Sequence, residues 1–245
     1  MIINRKIGNF AKNNNMAKVL AKTSNNIYWL RFPKPGQTCF STSEFDLTGK
    51  KVIDIAWLNN KFYEGWKNND HHIMTKCFYK MILPFISLYI KSFSFNIDDF
   101  EIVEHFVEKE KYDVKYLIPK NENLRFTLEI NGEKVVENGY FDDLHCIGKD
   151  YKDFTDYHKV FIGTHSCCIL RNETIDNNKT IFITGDSMII PAIPIFACYY
   201  KEVVFMDNRT NQSFKHYYEG KVFDEVIVQL WEGHPLLKPL GINLK

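Results

Sequence analysis

Three short apolar runs in the last third of the chain do most to limit its fold. They are Ile181–Thr184, Glu202–Met206 and Glu225–Leu230, rich in Ile, Val and Phe, with helix-length segments at Met188–Tyr200 and Gln212–Gly220 between them. Strand, helix, strand, helix, strand implies right-handed crossovers and a parallel sheet. Gly220 is placed to close the second helix. Pro191 and Pro194 conflict with one regular helix after the first strand: one of them fits a first turn, and the other kinks the helix or delays its start.

The preceding residues add elements to this α/β frame. Residues 1–26 read as an Asn-rich basic arm with a short helix over Met16–Lys22, and 27–245 as one domain. Tyr28–Phe32 and Val52–Leu58 are predicted strands, the first stopped by Pro33 to Gly36. Lys76–Lys91 is a predicted helix bent at Pro84, and Ile97–Lys111 a second helix with Asp98 and Asp99 at its start, where the dipole favours acid. Leu124–Ile130 and Glu133–Val136 flank Asn131-Gly132, the signature of a β-hairpin with a type I′ turn. This hairpin is expected in an N-terminal extension to the core. No internal repeat is visible.

Composition narrows the function classes. With 45% hydrophobic and 15% aromatic residues, the 245-residue chain has ample material for a large core, and its 20 Phe and 13 Tyr serve as core filler or as a sugar-stacking face. A net charge of +1 gives no global field to draw nucleic acid or an anionic membrane. The six cysteines, at 39, 77, 146, 167, 168 and 198, form no CxxC pair and read as reduced, buried thiols of a reducing compartment. No signal-peptide pattern opens the sequence, and the most apolar stretch, Cys77–Ile90, is too short to span a bilayer and is interrupted by Lys80 and Pro84. A soluble, cytoplasmic chain without an integral membrane segment is expected.

The chemistry centres on Gly185-Asp186-Ser187, directly after the first apolar run. A buried strand ending in this triplet delivers a hydroxyl to the carboxyl edge of a parallel sheet, where open α/β folds place their sites. The competing reading of Ser187 is a helix N-cap. A nucleophilic serine needs a base and a group that orients the base. In Thr155-Asp156-Tyr157-His158, residues two apart in extended chain point the same way, so Asp156 can hold His158 in a productive tautomer. Asp143 and His145 have the same spacing and form a rival pair. Asp70-His71-His72 as a metal site, His165 with Cys167 and Cys168 as a thiol site, and His234 as a base are weaker candidates.

These residues resemble a known family. Gly185-Asp186-Ser187 resembles the nucleophile block of SGNH hydrolases, and Asp156-Tyr157-His158 is similar to the Asp-x-His motif of their alginate O-acetyltransferase-like branch. Asp207-Asn208-Arg209 after the second run, and Phe223–Glu232 as the final strand with its terminal Glu, are similar to the same branch, so the resemblance spans roughly 150–233. It implies an SGNH-like three-layer α/β sandwich with a mainly parallel central sheet. It also implies a serine O-acyltransferase or O-acetylesterase that acts on a carbohydrate, such as a capsular or exopolysaccharide sugar. Ser187 would be the nucleophile, His158 the base and Asp156 its orienter. Ser187 N–H would be one oxyanion donor, with Gly185, Asp186 and Arg209 in the substrate- or oxyanion-binding lip. Partners would be an acyl donor and a glycan acceptor, with no metal or organic cofactor. A non-acyl sugar-decorating transferase and a non-catalytic glycan-binding or assembly module are the alternatives.

Overall fold

The computed structural model describes residues 24–32, 50–55, 78–107, 112–144, 161–162, 166–207, 215–218 and 220–231. Ten strands are present among them: β1 (Ile27–Phe32), β2 (Lys51–Asp54), β3 (Phe100–Val107), β4 (Tyr112–Pro119), β5 (Phe126–Ile130), β6 (Glu133–Gly139), β7 (Cys167–Asn172), β8 (Thr180–Gly185), β9 (Glu202–Asp207) and β10 (Glu225–Trp231). Eight of them form a sheet in the order β2-β1-β10-β8-β9-β7-β5-β6, while β3 and β4 pair antiparallel by themselves. The neighbours from β2 to β9 all pair parallel. The pairs β9·β7, β7·β5 and β5·β6 are antiparallel.

The central strands are apolar on both sides because both sides are covered. Leu30, Ile183, Phe205 and Ile227 belong to one hydrophobic cluster, together with Phe78, Ile82, Ile86, Ile193 and Phe196. Trp29, Phe182, Val204, Met206 and Val228, which alternate with them, belong to a second cluster with Tyr217, Tyr218 and Phe223. Continuous Ile/Val/Phe runs are what a parallel sheet buried on both faces demands.

Helical segments are short. A π-helical turn, Phe78–Ile82, runs into helix α1 (Leu83–Ser87), with Pro84 in the first turn of α1, where its missing N–H costs least. The expected helix over 188–200 is instead a turn, a 3₁₀ segment (Ile190–Ala192) and helix α2 (Ile193–Ala197). Each of the two segments has a proline at N1 or N2, so Pro191 and Pro194 each restart a helix rather than bend one. Helix α3 (Lys215–Tyr218) precedes Gly220, whose φ of 76° is the left-handed conformation of a helix terminator. Among the described residues no helix is long and apolar enough to cross a membrane.

Two further expectations are corrected. The predicted helix over Ile97–Lys111 is not formed in its described part, 97–107: Ile97–Asp99 form one 3₁₀ turn capped by the Asn96 side chain, and β3 follows. The acidic pair marked that single turn, and the aromatic and β-branched residues after it favour a strand. The hairpin of β5 and β6 turns at Asn131 and Gly132 with φ of 52° and 91°, but it completes an edge of the main sheet through β7 and does not lie in an extension. The arm at 1–23, residues 56–58 of the second predicted strand and residues 212–214 lie outside the described residues.

Candidate active site

The two edges of the sheet treat their buried polar groups differently. At the amino edge of the parallel strands, the Glu225 carboxylate accepts hydrogen bonds from the Ser92 and Tyr200 hydroxyls. Burial, then that carboxylate, pushes the Tyr200 phenol up. Asn172 Nδ2 donates to Ala197 O at 2.9 Å, and its Oδ1 accepts from the Thr174 and Ile175 N–H groups at 3.0 and 3.1 Å. At the carboxyl edge lie buried Ser166, Thr184, Asp186, Ser187, Asp207 and Gln229. Thr184 Oγ1 and Gln229 Nε2 have no hydrogen-bond partner among the described residues. An unsatisfied buried donor costs about 1–3 kcal/mol. Buried polar groups gathered at the carboxyl ends of parallel strands are the mark of a binding or reaction site.

Gly185 ends β8 in register with Asp207 at the end of β9. The chain then turns. Asp186 Oδ1 accepts the Met188 N–H at 2.9 Å, Asp186 O accepts the Ile189 N–H at 3.2 Å, and Asp186 N–H donates to Gln229 Oε1 at 2.7 Å. This closes a tight Asx-type turn around Ser187. The helix-cap reading of Ser187 does not hold: the N-caps of the next two helical segments are Ile189 and Ala192, neither with a side-chain cap. The Asp186 side chain closes the turn that precedes them. Ser187 is 1% exposed, and Ser187, Asp186 and Asp207 each have further interaction partners.

The absence of a side chain at Gly185 has a local cause. A Cβ there would lie 2.6 Å from Gln229 Oε1 and 2.7 Å from Ile189 Cγ2. The strand must therefore end in glycine for the Gln229 amide to reach across to Asp186 N–H.

Of the residues singled out in the sequence, Gly185, Asp186 and Ser187 come together at this edge. Asp156, His158 and Arg209 lie outside the described residues, as do His71, His72, His145, His165 and His234. Asp143, from the rival pair, sits in a 3₁₀ turn (Phe141–Leu144) and accepts the Tyr140 N–H at 2.7 Å. That turn follows Gly139, which pairs with Phe126 and, through it, Asn172, at the amino edge opposite Ser187. The thiol reading fails on electrostatics, since burial pushes the Cys167 and Cys168 thiols far up.

Gln229 was not singled out in the sequence, and Asp207 entered only as the first residue of the Asp-x-Arg resemblance, although the apolar runs carried a signal for both. Along β9, Val203 and Phe205 face one cluster and the next residue in that phase is Asp207; along β10, Ile227 is followed in phase by Gln229. Both are fully buried, and a polar residue at a core-facing position of an apolar strand marks the point where the core gives way to a site.

No protein-family model matches the chain, and no curated protein matches it in sequence. Its fold is similar to those of solved structures. Bacillus cereus PatB1 aligns with a TM-score of 0.72 at 13% sequence identity, over 98% of this chain and 92% of PatB1. PatB1 with a sulfonyl adduct aligns at 0.72 and 14% identity, over 97% and 92%. A DHHW family protein from Eubacterium siraeum DSM 15702 aligns at 0.63 and 13% identity, over 94% and 86%. The likeness at such identities is one of fold: an α/β architecture on a mostly parallel eight-stranded sheet.

Proposed function

We propose that this protein is a serine-dependent O-acyltransferase or O-acetylesterase acting on a carbohydrate, built as an SGNH-like three-layer sandwich. The observation that carries the reading is the turn at the carboxyl end of β8, closed by the Asp186 side chain, which holds Ser187 at the edge that gathers buried polar groups. The fold likeness to PatB1, one of whose structures holds a sulfonyl adduct, supports it, since electrophilic sulfonyl groups are left on activated nucleophiles.

In this reading Ser187 Oγ attacks the acyl carbonyl carbon while the His158 imidazole takes the hydroxyl proton, and Asp156 holds the imidazole in the required tautomer. The Ser187 N–H meets the oxyanion, and Arg209, with Gly185 and Asp186 in the lip, contacts the substrate. Collapse releases the first alcohol with the proton returned from His158. A sugar hydroxyl or water, deprotonated by the same imidazole, then attacks the acyl carbonyl, the bond to Ser187 Oγ breaks, and Oγ takes the proton back from His158.

The test is intact-mass spectrometry of wild type and Ser187→Ala after treatment with an aryl sulfonyl fluoride, alongside turnover of an aryl acetate. One adduct on wild type, lost with turnover in a normally folded Ser187→Ala, is the expected result. A wild type that takes no adduct and turns over no ester overturns the reading. It would favour the second one, a non-catalytic glycan module, for which the burial of Ser187 speaks.

A further inference from the structure

Gln229 stands beside the serine turn with only half of its amide engaged. Its Oε1 accepts the Asp186 N–H at 2.7 Å. A backbone N–H bonds to oxygen, so this contact fixes which end of the amide is which. Nε2 is therefore a true N–H₂ donor, on an amide held by the residue that precedes Ser187, buried and with no partner among the described residues. Thr184 Oγ1, a buried atom of β8 also without a partner, belongs to the opposite face of the sheet, because Thr184 is in register with Val228 and the next side chain of β10, Gln229, points the other way. The polar groups at the amino edge close on one another, so an unused buried donor is not general to this sheet.

We propose that Gln229 Nε2–H donates a hydrogen bond to the carbonyl oxygen of the acyl group attacked by Ser187. This rests on the acyl-transfer reading above and names a side chain that completes its oxyanion site. As the C–Oγ bond forms, the carbonyl π pair moves onto oxygen and the Oγ proton passes to the base. Ser187 N–H and Gln229 Nε2–H share the new negative charge. On collapse the pair returns to re-form C=O, the bond to the leaving oxygen breaks, and that oxygen takes the proton back from the base. Gln229 neither gains nor loses a proton. Its orientation is set in advance by Asp186 N–H, as an efficient oxyanion donor requires.

Gln229→Glu keeps the chain length and an oxygen for Asp186 N–H but removes the donor; Gln229→Met keeps the volume and removes both. In steady-state hydrolysis of an aryl acetate, kcat is expected to fall about 10²–10³-fold in both variants while KM moves less than about threefold. A kcat within about threefold of wild type in either folded variant overturns the proposal. A second measurement uses only the wild-type chain: in a crystal structure of its aryl sulfonyl adduct, a sulfonyl oxygen is expected within about 3.2 Å of Gln229 Nε2. Sulfonyl oxygens all beyond about 4 Å overturn the assignment even if both variants misfold. Ser187→Ala separates the two readings: turnover that survives it overturns the nucleophile itself, whereas turnover lost there but kept in the Gln229 variants overturns only the donor.

Discussion

Replacing Gly185 with alanine tests the packing beneath the serine turn. The added Cβ would lie 2.6 Å from Gln229 Oε1, 2.7 Å from Ile189 Cγ2 and 3.0 Å from Gln229 Cβ. Carbon contacts are comfortable at about 3.5–4.0 Å, so all three neighbours must give way. The φ of Gly185 is not positive, so the penalty comes from space and not from backbone conformation. Swinging the Gln229 amide aside breaks its bond to Asp186 N–H and strands a buried donor, at about 1–3 kcal/mol. Moving Ile189 and the β10 backbone adds about 1–3 kcal/mol of overpacking. A loss of about 2–4 kcal/mol is expected. At about 2–4 °C per kcal/mol for a chain of this size, the melting temperature falls by about 5–15 °C. Denaturant unfolding followed by circular dichroism gives the energies, and a cycle with Gln229→Ala isolates the contact. In the Gln229→Ala background the amide is gone, so Gly185→Ala should cost less by at least about 1 kcal/mol. A cost below about 0.5 kcal/mol, or the same cost in both backgrounds, would refute the argument.

Three other outcomes are expected. Asp186→Ala removes the acceptor of Met188 N–H and loses about 1 kcal/mol in denaturant unfolding, whereas Asp186→Asn keeps Oδ1 and stays within about 0.5 kcal/mol of wild type. Burial pushes the thiols of Cys167 and Cys168 up, so peptide mapping after alkylation at pH 8 should find both unlabelled in the native chain and labelled once it is unfolded. Tyr217 is pushed up from 10.0 to about 12, by burial first and then by the Glu129 carboxylate. A raised folded value means its contribution is full below pH 10 and is lost as pH rises towards 12, so stability falls across that window, and Tyr217→Phe should flatten the fall.

Local chemistry decided what was legible in the sequence. β8, β9 and β10 were readable because burial on both faces writes itself as unbroken Ile/Val/Phe runs, and the β5–β6 turn because Asn131 and Gly132 accept positive φ. β3 was misread: Asp98 and Asp99 imitate a helix start, and the pairing with Tyr112–Pro119 adds to the strand preference of Phe100–Val107. After Ser187 the apolar content was right for a core element, but the two prolines divided it into short pieces. At the site, the Gly-Asp-Ser triplet was visible while the reason for its glycine was not. That reason is the amide of Gln229, 44 positions on from Gly185, which meets it only through the pairing of β8 with β10.

Strand β10 is flanked by β1 on one side and β8 on the other. Contacts at its start already span 200 positions, as between Ser24 Oγ and Asp224 O. During synthesis, β1 and β8 are both made before the strand that must lie between them. Each therefore waits with an open edge, and an open edge of apolar strand is where wrong partners attach. The same insertion that closes this gap brings Gln229 to Asp186, so the serine turn acquires its neighbour only at the moment the sheet is completed. A ribosome-bound chain cut short before β10 should thus be both sticky and inert, and the arrival of one strand should end both conditions together.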